Sequence, residues 1–120
     1  GMRSPPRPSL RPRPPERRLD EANRVELSGM LVQLGALRHT PAGIPLIELR
    51  IRHESELAEA GARRKVEAEV EAIAFQTHAR LLAAAAPGSP LRVEGFLCAK
   101  SRRSKKLVLH LTKSEFTEGV

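Results

Sequence analysis

Residues 63–75 read RRKVEAEVEAIAF, and the fold turns on whether this stretch is helix or strand. Ala, Glu, Leu and Arg dominate residues 54–86, and their intrinsic propensities favour a helix. The pattern argues the other way. Val66, Ala68, Val70 and Ala72 alternate with Glu67, Glu69 and Glu71, the period of two expected of a strand with one buried face. In a helix Glu67 and Glu71 would also crowd one face, offset only in part by Lys65 with Glu69. The alternation predicts a strand over about 63–75. Thr77 then caps a short helix running to Ala86, stopped by Pro87-Gly88.

On the N-terminal side, Ile47, Leu49 and Ile51 alternate with Glu48, Arg50 and Arg52. Before them, Thr40-Pro41-Ala42-Gly43-Ile44-Pro45 is dense in turn-forming residues. Val25, Leu27, Gly29 and Leu31 alternate with Glu26, Ser28 and Met30, and Gly29 inside that run predicts a bulge or sharp bend. On the C-terminal side, Leu91, Val93, Gly95 and Leu97 form one alternating run and Leu107, Leu109 and Leu111 another. The order is β-β-β-α-β-β. It predicts an all-β protein: a five-stranded OB-fold barrel with one short helix between strands three and four.

With 120 residues, one core is the expected limit. Residues 1–22 hold six Pro and six Arg, so they predict a disordered tail, with the domain occupying 23–118. No apolar run is long enough to span a bilayer, and the start lacks a secretory pattern. Cys98 is the sole cysteine, which fits a reducing compartment and a cytoplasmic location. That cysteine and His39, His53, His78 and His110 show no zinc-ligand spacing, so neither metal nor cofactor is expected. No GxSxG elbow, P-loop, HExxH or Cys-His pair is present, and an enzyme is not expected.

The net charge is +7 and unevenly placed. Residues 100–106, KSRRSKK, carry five cations and no acid between the last two strands. With residues 1–22, acids included, set aside as well, the body is close to neutral. A concentrated cationic loop attracts polyanions by its potential and by counterion release.

Several segments together resemble the primosomal replication protein N family, relatives of bacterial single-stranded DNA-binding proteins. They are Asn23-Arg24 with Leu27-Ser28-Gly29, Thr40 to Pro45, His53-Glu54-Ser55 ending the second strand, Glu59-Ala60-Gly61, Val93 to Phe96, and Leu107 to His110. The resemblance covers about residues 23–116. It implies an OB-fold homodimer paired through exposed first strands. It also implies binding of single-stranded DNA and association with the restart helicase, as a non-catalytic accessory of the replication-restart primosome.

The residues expected at the nucleic acid are Lys100, Arg102, Arg103, Lys105 and Lys106 in the loop between strands four and five. Arg38 joins them at a basic position of the one-two loop in the family pattern. Arg63, Arg64 and Lys65 open strand three. Glu54 stands where some relatives carry Arg, with Arg50 and Arg52 close by, of which Arg52 is expected at the nucleic acid. Glu67 falls where relatives carry a stacking Trp, and this chain has neither Trp nor Tyr. Phe75, Phe96 and Phe116 are expected in the core, so binding should lean on charge. A primosome adaptor with weak DNA binding and an RNA-binding OB module are the alternative readings.

Overall fold

The structure, a computed structural model, describes residues 21–117. The expected tail, apart from Glu21 and Ala22, lies outside the described residues, as does the C-terminal end of the expected domain. The elements in order are β1 (Val25–Leu34), β2 (Arg38–His39), β3 (Pro45–Glu59), β4 (Ala62–Phe75), α1 (Thr77–Ala83), β5 (Pro90–Ala99) and β6 (Leu107–Phe116).

Five of the strands close on themselves in the order β1-β5-β6-β4-β3, with β3 returning to β1. The β4–β6 pair is parallel, and the other pairs are antiparallel. This is the OB barrel. The two-residue β2 pairs only with the start of β3. Among the described residues no helix is long and apolar enough to cross a membrane.

Parity along each strand builds the core. Leu31, Ile47, Leu49, Ile51, Ala72, Ala74, Leu91, Val93, Leu109 and Leu111 all point inward and are buried. Ala79 and Leu82 of α1 are fully buried in the same cluster. Truncating a filled position such as Leu109 should cost about 2–5 kcal/mol.

Residues 62–75 are a strand, so alternation outweighs helix propensity here. Other boundaries differ from expectation. His53-Glu54-Ser55 does not end the second long strand, because β3 continues to Glu59. It pairs with β4 in unbroken register from Leu46↔Phe75 to Glu59↔Ala62. The two-residue turn is Ala60-Gly61, at φ 52° and 81°. Positive φ at both central residues is what a tight hairpin turn matching the strand twist requires, and Gly61 adopts it without a side-chain clash. The expected helix through Ala86 stops at Ala83. Gln76, at φ 57°, holds the N-cap position instead of Thr77, and no side chain caps the helix.

Gly29 does not mark the register break. It pairs regularly with Leu91, and the break in β1 falls between Leu31 and Gln33. What Gly29 supplies is room, since a Cβ there would lie 2.3 Å from the Arg52 carbonyl oxygen. Beside it, His53 ties β3 to β1. Its Nδ1–H donates to the Ser28 carbonyl at 2.7 Å, and Nε2 is hydrogen-bonded to the Ser55 hydroxyl at 2.9 Å. At the other side of the barrel the Asn23 amide takes the place of a strand peptide. It donates to the Leu97 carbonyl and accepts from the Leu97 N–H, each at 2.9 Å.

The phenylalanines are not the core residues expected of them. Phe75 is half-buried, while Phe96 and Phe116 are exposed by 39% and 47%. The reason for Phe75 and Phe96 is parity: Phe75 is out of phase with Ala72 and Ala74, and Phe96 is out of phase with Leu91, Val93 and Leu97. The first strand is also less open than expected. Val25 to Met30 pair with β5 and Met30 to Leu34 with β3, so each half of β1 is paired along one edge, and its first residues keep the edge toward β3 outside the ladder.

Candidate nucleic-acid interface

The expected cations fall into two groups that sequence alone does not separate. The first lies on the β2–β3–β4 side, where every member meets a carboxylate. Arg38 is 3.1 Å from Glu48. Arg52 donates to Glu54 at 2.8 Å, and that bond, then the Glu54 charge, raises the pKa of the Arg52 guanidinium above its ordinary value. Arg63 donates to Glu56 at 2.8 Å, Arg64 to Glu59, and Lys65 lies 3.3 Å from Glu67. Arg50, which lay outside the expected set, donates to Glu71 at 3.3 Å and lies 3.8 Å from Glu69.

The outer face of the β3–β4 pair is therefore acidic on balance. Glu48, Glu54, Glu56, Glu67, Glu69 and Glu71 share one parity with Arg50, Arg52, Arg63 and Lys65. Glu54 and Glu67 are direct cross-strand partners, an unfavourable like-charge pair. Their flanking cations, Arg52 and Lys65, offset it.

The second group is the β5–β6 loop. Lys100 N–H donates to the Lys106 carbonyl at 2.8 Å, closing the loop at its base. Within it, Ser101 Oγ accepts from the Ser104 N–H at 3.1 Å and Ser104 Oγ from the Lys106 N–H at 3.3 Å. The serines satisfy the loop backbone, and the cations stand in solvent. Arg102, Arg103, Lys105 and Lys106 are exposed, and none has a carboxylate within ion-pair range among the described residues. Lys100 differs: it sits 4.0 Å from Glu71, so the loop's base meets an acid its own sequence lacks.

Two features escaped the sequence reading. Phe75, His110 and Phe96 form a row of near-parallel rings across β4, β6 and β5. Ring centroids are 6.1 Å apart for Phe75–His110 and 5.1 Å for Phe96–His110, with interplanar angles of 26° and 17°. Beside it is a hollow of about 380 Å³, whose lining includes Gln33, Arg50, Glu71, Phe75, Lys100 and His110. Strand parity was the available signal for the row. It places Phe75, Phe96 and His110 opposite the buried leucines and alanines of their strands.

Elsewhere on the barrel, Arg24 donates to Glu94 at 2.7 Å. That hydrogen bond is the main reason the Glu94 carboxyl lies below its ordinary pKa.

A closed OB barrel with a loop whose Arg102, Arg103, Lys105 and Lys106 meet no carboxylate among the described residues fits the class of small single-strand-binding folds, and comparison with known proteins places the chain there. The family model described as "Another single-strand binding protein family" matches residues 23–113. The replication restart protein PriB of Bordetella pertussis is 43% identical over 97 residues, covering 81% of this chain and 91% of the relative. That of Nitrosomonas europaea is 39% identical over 89 residues, covering 74% and 82%. The solved PriB structure from Ralstonia solanacearum is 33% identical with a TM-score of 0.73, covering 81% of this chain and 100% of its own. A deletion mutant of the single-stranded DNA binding protein of Thermus aquaticus shares the fold alone. It is 22% identical with a TM-score of 0.68, over 82% of this chain and 51% of that one. The chain belongs to the PriB family of replication restart proteins.

Proposed function

We propose that this protein binds single-stranded DNA in the replication-restart primosome, without catalysis of its own, and that the β5–β6 loop supplies the phosphate contacts. One observation carries the reading: Arg102, Arg103, Lys105 and Lys106 stand exposed with no carboxylate partner among the described residues. Cations already held by glutamates must exchange one anion for another to bind DNA, whereas these four release only counterions. The chain acts in the cytoplasm as a homodimer, with the free edge at the start of β1 as the pairing surface. In the dimer two loops flank one strand. Association with the restart helicase, and stimulation of it, completes the reading and rests on the family.

Titration of a labelled oligonucleotide into the protein tests it, with unlabelled single-stranded DNA, RNA and duplex as competitors. Single-stranded DNA should compete best. Equal competition by RNA would favour an RNA-binding module. Sedimentation at micromolar concentration should give a dimer, and a monomer there would remove the two-loop geometry. A second reading, an adaptor that binds DNA only weakly, is favoured by the acid-paired β3–β4 face. It predicts poor affinity for the isolated protein and tight binding only in complex with the helicase.

A further inference from the structure

The Phe75–His110–Phe96 row has no part in the core, and the electrostatic reading leaves it unused. The row and the loop share one hairpin. Phe96 and His110 are direct partners in β5 and β6, Cys98 and Val108 are the next pair of the same parity, and Lys100 and Lys106 follow at the loop base. At about 3.3 Å per residue, the rings lie roughly 13 Å from the cations, on the same outer face. The approach from the loop runs along β5 and β6, where Phe96 and His110 lie, and reaches Phe75 and the hollow at the border of the glutamate-lined β3–β4 face.

The rings themselves fix how a base could join them. At 5.1 and 6.1 Å between centroids they are too close to admit another ring between them. A further aromatic plane adds at the ends. One end is Phe96, which is 39% exposed. The other is Phe75, beside the hollow of about 380 Å³. That hollow offers the mixed lining a base prefers: an aromatic wall, the Gln33 amide, the Glu71 carboxylate and the Lys100 ammonium.

We propose that the Phe75–His110–Phe96 row is a base-stacking site for single-stranded nucleic acid, with one base entering the hollow against Phe75 and another lying on Phe96 while the phosphates run to the 100–106 loop. This rests on the reading of the chain as a single-strand binder, and it supplies what charge alone does not, a preference for strands that carry bases.

The test compares two labelled strands with the same phosphate count, oligo-dT and its abasic counterpart. The native protein should bind oligo-dT more tightly. Phe75→Leu and Phe96→Leu keep apolar bulk but remove the ring. Each should weaken oligo-dT binding by about 5- to 100-fold, leave the abasic strand unchanged and keep the salt dependence. Thermal melting of each variant separates a lost ring from a lost fold. Because the chain has no Trp, Phe96→Trp adds a single fluorophore that tolerates the exposed position. Oligo-dT should quench it and the abasic strand should not. If the native protein binds both strands equally, or folded Leu variants keep the preference, stacking at this row is overturned while strand binding stands. If the native protein binds neither strand, both readings fail.

Discussion

The β3–β4 hairpin and the β5–β6 loop carry similar numbers of cations and differ in what those cations touch. On the hairpin, cross-strand and neighbouring glutamates engage Arg52, Arg63, Arg64 and Lys65. In the loop, serines bond the backbone and leave Arg102, Arg103, Lys105 and Lys106 unpaired among the described residues. The difference separates cations that already hold a fixed anion from cations that meet none among the described residues. Arg52 and Lys65 meet glutamates along their own strands, whereas Arg63, Arg64 and Arg50 meet theirs across the hairpin, so a count confined to one basic cluster misses the cancellation.

The contrast breaks most visibly at the loop. Replacing Arg102, Arg103, Lys105 and Lys106 with Ala should lower single-strand affinity by about tenfold or more, equally for all sequences. The melting temperature should barely move, because these side chains bury nothing. Fluorescence anisotropy and thermal melting report the two effects.

Glu71 permits a sharper test. It engages Arg50 and Lys100, and Glu69 adds a second contact to Arg50. Glu69→Gln with Glu71→Gln should therefore release both cations and tighten binding about threefold, with a steeper salt dependence, by about 0.7 for each cation that finds a phosphate. Weaker binding in that variant would mean that these carboxylates position Arg50 and Lys100 and do not compete for them.

Removing a whole ion pair should do less. Arg63 and Glu56 are 81% and 57% exposed. Such pairs are worth about 0–1 kcal/mol. Arg63→Ala with Glu56→Ala should leave affinity within about twofold and shift melting by no more than a few degrees. A large loss of affinity would return the hairpin to the binding surface.

These distinctions mark how far the sequence could be read. The barrel was legible because alternation is local: Val66 to Ala74 declare a strand with no knowledge of their partners, although only Ala72 and Ala74 of that face are buried. The loop was legible because five cations within seven residues need no partner to be noticed. The extension of β3 to Glu59 was hidden, since its Ala, Glu and Leu residues favour a helix alone and become a strand only through pairing with β4. The ring row was hidden because the apolar bulk of phenylalanine by itself favours the core. Parity already placed Phe96 outside, but that it meets His110, and His110 meets Phe75, depends on the parallel β4–β6 pair.

The smallest expected effect is a pH dependence at a pair remote from both regions. The Glu94 carboxyl lies below its ordinary pKa when folded, chiefly through the Arg24 hydrogen bond. Its contribution is thus complete above the ordinary carboxylate range and is lost as pH falls through the depressed folded value. Glu94→Gln should lower the melting temperature slightly at neutral pH and match the native protein once Glu94 is protonated in both states. A constant difference across that range would assign the effect of the substitution to packing.

The central claim, that the loop takes the phosphates and the hairpin does not, is tested most directly by the salt dependence of binding. The logarithm of the affinity for a labelled single strand should fall with the logarithm of salt at a slope of about −3 for four phosphates neutralised, and more steeply if both loops of a dimer engage the strand. The loop variant should be nearly flat, and a variant lacking both Arg63 and Glu56 should keep the native slope. A loop variant that keeps the native slope, or a flattened slope on loss of the hairpin pair, would contradict the claim.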